Sequence, residues 1–136
     1  MPIFLNPPTL ADLEQIAREA FAGIPENFRR AVGDVAIRVE DFPDRATERE
    51  MDLESPFDLL GLYRGVSIGH KHSGAVRHDV DMIFLYRRPI LDYWSETGEE
   101  LTHIVRHVLI HEIGHHLGFS DDDMEAIERE AAGAGD

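Results

Sequence analysis

His111-Glu112-Ile113-Gly114-His115-His116-Leu117-Gly118-Phe119-Ser120-Asp121 is the stretch on which the rest of this chain depends. Two histidines four residues apart on a helix lie on one face, a turn from each other, so both imidazoles can reach one metal ion. Glu112 projects about 100° further around the helix, placed to contact a water beside the metal rather than the metal itself. Gly118 can take the left-handed conformation that ends a helix and turns the chain. Such a turn carries Asp121 back towards the histidines as a third ligand. Zinc accepts neutral imidazole and carboxylate oxygen at about 2.0–2.2 Å, and a catalytic zinc keeps one position open. The expected chemistry is hydrolysis, with His111, His115 and Asp121 as zinc ligands and Glu112 as general base.

Upstream of the motif, Leu101, Ile104, Val105, Val108, Leu109, Ile110, Ile113 and Leu117 cover most of a helical circumference. The pattern predicts a largely buried helix ending near Gly118, with His111 and His115 in the stripe of Ile104 and Val108. Thr97-Gly98-Glu99-Glu100 reads as a capping box that opens it. After Asp121, residues 122–132 read as a short acidic helix with Met124 and Ile127 inward. Further back, Thr9 and Asp12 cap a helix over 9–22, with a short turn through Phe28 to Ala31 behind it. Val35–Val39 and Asp81–Tyr86 read as strands, and 59–66 as a short strand or turn. Ala46 to Leu53 reads as a short helix, and Arg87-Arg88-Pro89 as the stop of the second strand with a helical turn after it. Ser67 to Val80, glycine- and histidine-bearing, reads as an exposed loop. An Asp81–Tyr86 strand at the sheet edge would let an extended peptide substrate add to it.

The chain has 136 residues, 43% apolar and 29% charged, which fits one soluble globular domain, 1–136. It has no cysteine, so disulfides, thiolate zinc sites and cysteine nucleophiles are all excluded. A formal net charge of −14 argues against nucleic acid as a partner. No stretch approaches the roughly 20 apolar residues of a membrane span, and the first residues lack a basic, apolar leader. A cytoplasmic protein acting on a peptide or protein substrate is the expectation.

More of the chain than the motif resembles a known family. Asp34-Val-Ala-Ile-Arg-Val-Glu-Asp-Phe-Pro43, Leu59-Leu-Gly-Leu-Tyr-Arg-Gly-Val66, Ile83-Phe-Leu-Tyr-Arg-Arg-Pro-Ile90 and the run from His111 to Met124 resemble, in order, the minimal bacterial zincin-like metallopeptidase domain. The Gly118 and Asp121 spacing is similar to the metzincin branch, with aspartate where that branch usually has histidine. The resemblance implies an α+β single-domain fold in which a small mixed sheet packs against the motif helix and an N-terminal helix. It implies the same ligand set, the same general base and zinc as cofactor, and it implies no particular substrate. Typical metzincins place a methionine turn well downstream of the third ligand; here Met124 lies three residues from Asp121, as a floor to the site or as ordinary core.

Other residues compete for roles. His103 and His107 continue the four-residue spacing, but each step drifts about 40° around the helix, which favours polar-side or outer roles for them. His116 points about 100° from His115, away from any shared ion. His70, His72 and His78 lie in the glycine-bearing loop. Tyr63, Tyr86 and Tyr93 are candidates for an oxyanion-stabilising phenol, with packing the commoner role. Glu125 and Glu128 are alternatives to Asp121. Two other functions fit less well: a non-catalytic metal-binding regulatory module, and a metal-dependent ribonuclease, which the acidic surface disfavours.

Overall fold

A computed structural model describes residues 6–65 and 80–134. Six α-helices and a three-stranded mixed sheet are present among the described residues, an α+β architecture. In chain order these are α1 (Leu10–Ala22), α2 (Glu26–Val32), β1 (Val35–Glu40), α3 (Arg45–Glu50), β2 (Gly61–Arg64), β3 (Asp81–Tyr86), α4 (Arg87–Thr97), α5 (Leu101–Leu117) and α6 (Asp121–Ala134). The loop expected over Ser67 to Val80, with His70, His72 and His78, lies outside the described residues except for Val80.

α1 starts as its sequence dictates. The Thr9 hydroxyl accepts from Asp12 N–H and the Asp12 carboxylate accepts from Thr9 N–H, a reciprocal cap. The helix then buries Leu13, Ile16, Ala17 and Ala20 and packs on α5 and β1.

Strand order is β1-β3-β2, with β1 parallel and β2 antiparallel to β3. β3 is therefore the central strand, its backbone occupied on both sides, and not the sheet edge that the peptide-addition expectation required. The edge facing α5 is β2. Ile83, Leu85 and Tyr86 of β3 join Val105, Leu109, Ile110 and Ile113 of α5 in the core.

Two helix boundaries differ from expectation. Arg87-Arg88-Pro89 not only stops β3 but also begins α4, because proline is tolerated in a first helical turn. Thr97 does not cap α5: it ends α4, its hydroxyl donating to Tyr93 C=O and accepting from Glu99 N–H. Gly98 then turns the chain at φ 70°, and α5 begins after Glu100 with no side-chain cap.

Candidate metal centre and active site

α5 ends where the motif requires a turn. Gly118 has φ 79°, Phe119 N–H reaches Gly114 C=O at 2.8 Å, and Gly118 N–H reaches His115 C=O at 3.2 Å. Ser120 and Asp123 then exchange side-chain-to-backbone hydrogen bonds at 3.2 and 3.3 Å, which starts α6. α6 returns against α5, with Met124 fully buried. A Cβ on Gly114 would lie only 2.7 Å from Met124 Cγ, so the missing side chain in the middle of the motif is what admits Met124.

One face of α5 looks to the sheet edge. A Cβ on Gly61 would lie 2.6 Å from Val108 Cγ1, so glycine lets β2 run hard against the helix. Tyr63 N–H consequently donates to Glu112 Oε1 at 3.3 Å. Burial raises the Glu112 carboxyl above its ordinary range, and the hydrogen bond from Tyr63 and the charges of His115 and His111 offset this only in part. His116, one turn beyond Glu112, stacks on the Tyr63 ring at 4.0 Å between centroids and stands 3.7 Å from Asp81 Oδ2. The Tyr63 hydroxyl donates to that same Oδ2 at 2.6 Å. Burial and this bond push the phenol's pKa upward. His116 is thus committed to the sheet edge, as expected of a residue pointing away from His115.

The adjacent face carries the other histidines. The rings of His111 and His115 are 6.0 Å apart and perpendicular, while those of His107 and His111 are 4.0 Å apart. His111 is half-buried and His115 exposed, so the motif histidines lie at the border of the apolar stripe rather than within it. Asp121 opens α6 and is exposed. The carboxylate that reaches the histidines is Glu128: Oε1 lies 2.5 Å from His107 Nδ1 and Oε2 lies 3.3 Å from His111 Nε2. Among the described residues, the group whose donor atoms all lie within 4.8 Å of one another is His107, His111 and Glu128. His115 and Asp121 stand outside it. Imidazole and carboxylate are donors that zinc takes, so the residues on this face fit that ion.

His107, expected in a polar-side or outer role, hydrogen-bonds Glu128. The 40° drift per step argues against three histidines meeting one ion, and the carboxylate beside His107 and His111 comes from a second helix. Glu128 is seven residues after Asp121, hence on nearly the same face of α6, and that spacing was the available signal.

Of the tyrosines, Tyr63 meets the motif through its backbone N–H on Glu112, and its hydroxyl is engaged by Asp81. Tyr86 is buried and Tyr93 is 40% exposed. His103 pairs with Glu99 at 3.5 Å.

A helix bearing two histidines and a glutamate, packed under the edge of a small mixed sheet, is the framework of a zinc peptidase domain. The chain belongs to the zincin-like metallopeptidase family, whose sequence pattern matches residues 32–131. Comparison with curated proteins finds no match. No helix among the described residues is long and apolar enough to cross a membrane.

Proposed function

We propose that this protein is a zinc-dependent peptidase in which Glu112 is the general base and His111, His115 and Asp121 hold the metal. The observation that carries this reading is the placement of Glu112 on the motif helix, half-buried and held through one oxygen by the backbone of the edge strand. When bound, the zinc ion supplies Lewis acidity, which eases deprotonation of water and polarises the scissile carbonyl.

The chain's own groups supply the rest. Glu112 Oε1 is fixed by Tyr63 N–H, which leaves Oε2 to accept the proton of the attacking water. A carboxylate with a raised pKa is a stronger base than a free one, and the same group returns the proton to the leaving amine as the C–N bond breaks. Substrate lies extended along β2. Leu60 C=O accepts from Tyr86 N–H on the β3 side, so by alternation the peptide groups of Gly61 and the Tyr63 C=O face away from β3, towards a substrate strand, while the Tyr63 N–H is taken by Glu112. The negative net charge supports a peptide in preference to a nucleic acid. Cytoplasmic action remains part of the proposal.

Glu112→Gln keeps the hydrogen bond from Tyr63 but cannot take a proton. We expect cleavage of a randomised peptide library to fall by about 10²–10⁴-fold, with zinc content unchanged. Equal cleavage by the variant would refute the assignment of the base, and zinc retention with no cleavage by the native chain would favour a non-catalytic metal module.

A further inference from the structure

The geometry points to a second metal position on the α5–α6 face, formed by His107, His111 and Glu128, one helical turn before the position that the motif describes. It shares His111 with the motif position, so one ion occupies either place but not both. The inference needs metal binding by this helix face, and it does not need peptidase action.

The distances support it. Two ligands on one tetrahedral zinc, at about 2.0–2.2 Å each, are separated by roughly 3.3–3.5 Å. His111 Nε2 and Glu128 Oε2 are 3.3 Å apart, which matches that edge and is long for a charged hydrogen bond. His107 Nδ1 lies 2.5 Å from the other carboxylate oxygen, shorter than a ligand–ligand edge, so without an ion it hydrogen-bonds Glu128 and aims Oε2 at His111, and it becomes a ligand when that bond gives way to the ion. The His107 and His111 rings, 4.0 Å apart, present their nitrogens to the same carboxylate. Side-chain exposures of 50% for His107, 24% for His111 and 20% for Glu128 leave an approach from solvent. A shallow cavity of about 290 Å³ lined by His103, His107, Glu125, Glu128, Arg129 and Ala132 opens onto it.

An ion in this position takes His111 Nε2 from the motif position. The loaded chain then holds metal away from Glu112, which faces the sheet edge instead. Partition between the two positions sets what fraction of metal-bearing protein has its ion beside the general base.

Cobalt(II) titration followed by visible absorption, with metal analysis of the filtered protein, tests the site. The native chain should bind one ion. His115→Ala should still bind one ion, because only the motif position loses a ligand. Adding Glu128→Gln to His115→Ala should weaken cobalt binding at least tenfold, and His107→Ala in the same background, at a half-exposed position that folding tolerates, should do the same. Two ions per native chain, no cobalt bound by His115→Ala, or His115→Ala binding indifferent to both further changes would each overturn the proposal. Failure of the peptidase reading is read separately, from the peptide library, and leaves these titrations intact.

Discussion

Gly114→Ala tests how the two helices of the site are spaced. An added Cβ would sit 2.7 Å from Met124 Cγ and closer still to Met124 Sδ, both inside van der Waals contact, and Met124 has no exposed surface into which to retreat. Methionine has flexible torsions, so part of the clash relaxes by rotation and the rest by moving α6 outward. Overpacking of this kind costs about 1–3 kcal/mol, and for a domain of this size each kcal/mol lowers Tm by about 3–5 °C. Thermal unfolding should therefore show a Tm lower by about 3–15 °C. Met124→Ala alone should cost about 2–5 kcal/mol through the cavity it leaves. In the double variant the new methyl occupies part of that cavity, so the combined loss should be smaller than the sum of the two by about 1 kcal/mol or more. Because Glu128 rides on α6, Gly114→Ala should also weaken metal binding, and Met124→Ala should do so less. Strictly additive losses, or a Gly114→Ala protein as stable as the native chain, would refute the packing argument.

Two further outcomes follow from the tyrosines. Tyr63→Phe removes the 2.6 Å hydroxyl bond to Asp81 but keeps the backbone N–H on Glu112; denaturant unfolding should show a loss of about 1 kcal/mol, with peptide cleavage within about threefold of native. A loss of activity as large as that of Glu112→Gln would instead make the phenol a catalytic group. Burial pushes the Tyr86 pKa up to about 12 from an ordinary value near 10. The folded state holds that proton more tightly than the unfolded one, so the contribution is complete below pH 10 and is lost as the pH rises towards 12, about 2–3 kcal/mol in all. Alkaline difference spectra of the folded protein should show at most one tyrosine, the exposed Tyr93, ionising around pH 10, and normal titration of all three tyrosines would contradict the burial of Tyr86.

Most of this architecture is legible from the chain because local signals and burial agree. Thr9 with Asp12, Gly23, the alternating Val35–Val39 run and the left-handed Gly118 each specify their element through contacts within a few residues. The failures occur where a local signal has two meanings. Thr97 followed by Gly, Glu and Glu fits a helix start, yet the same glycine is a better helix end, and α4 is long enough to need one. Strand order is set by which apolar faces meet, and no periodicity in Asp81–Tyr86 reveals that both of its edges are taken. The site divides the same way. The i, i+4 geometry places Glu112 and the histidines on their faces of α5, whereas the partner each face receives comes from β2 or α6, through distant packing at Gly61 and Gly114.

That division explains why the motif alone does not define its own surroundings. Along α5, Glu112 and His116 form one row and His107, His111 and His115 the next, with successive residues about 100° apart. The first row is claimed by Tyr63 and Asp81 of the sheet, so its carboxylate is kept partly desolvated and oriented. The second row faces a helix on which buried Met124 and half-buried Glu128 lie four residues apart, while Asp121 at its start is exposed. Met124 docks at Gly114 and fixes the register, which brings Glu128 to the histidine row. Glu112 and the histidines share α5, so their mutual spacing is that of one helix. The placement of α5 between sheet and α6 is set at Gly61, against Val108, and at Gly114, against Met124. Changes at either contact should alter cleavage without altering any residue of the His-Glu-x-x-His motif.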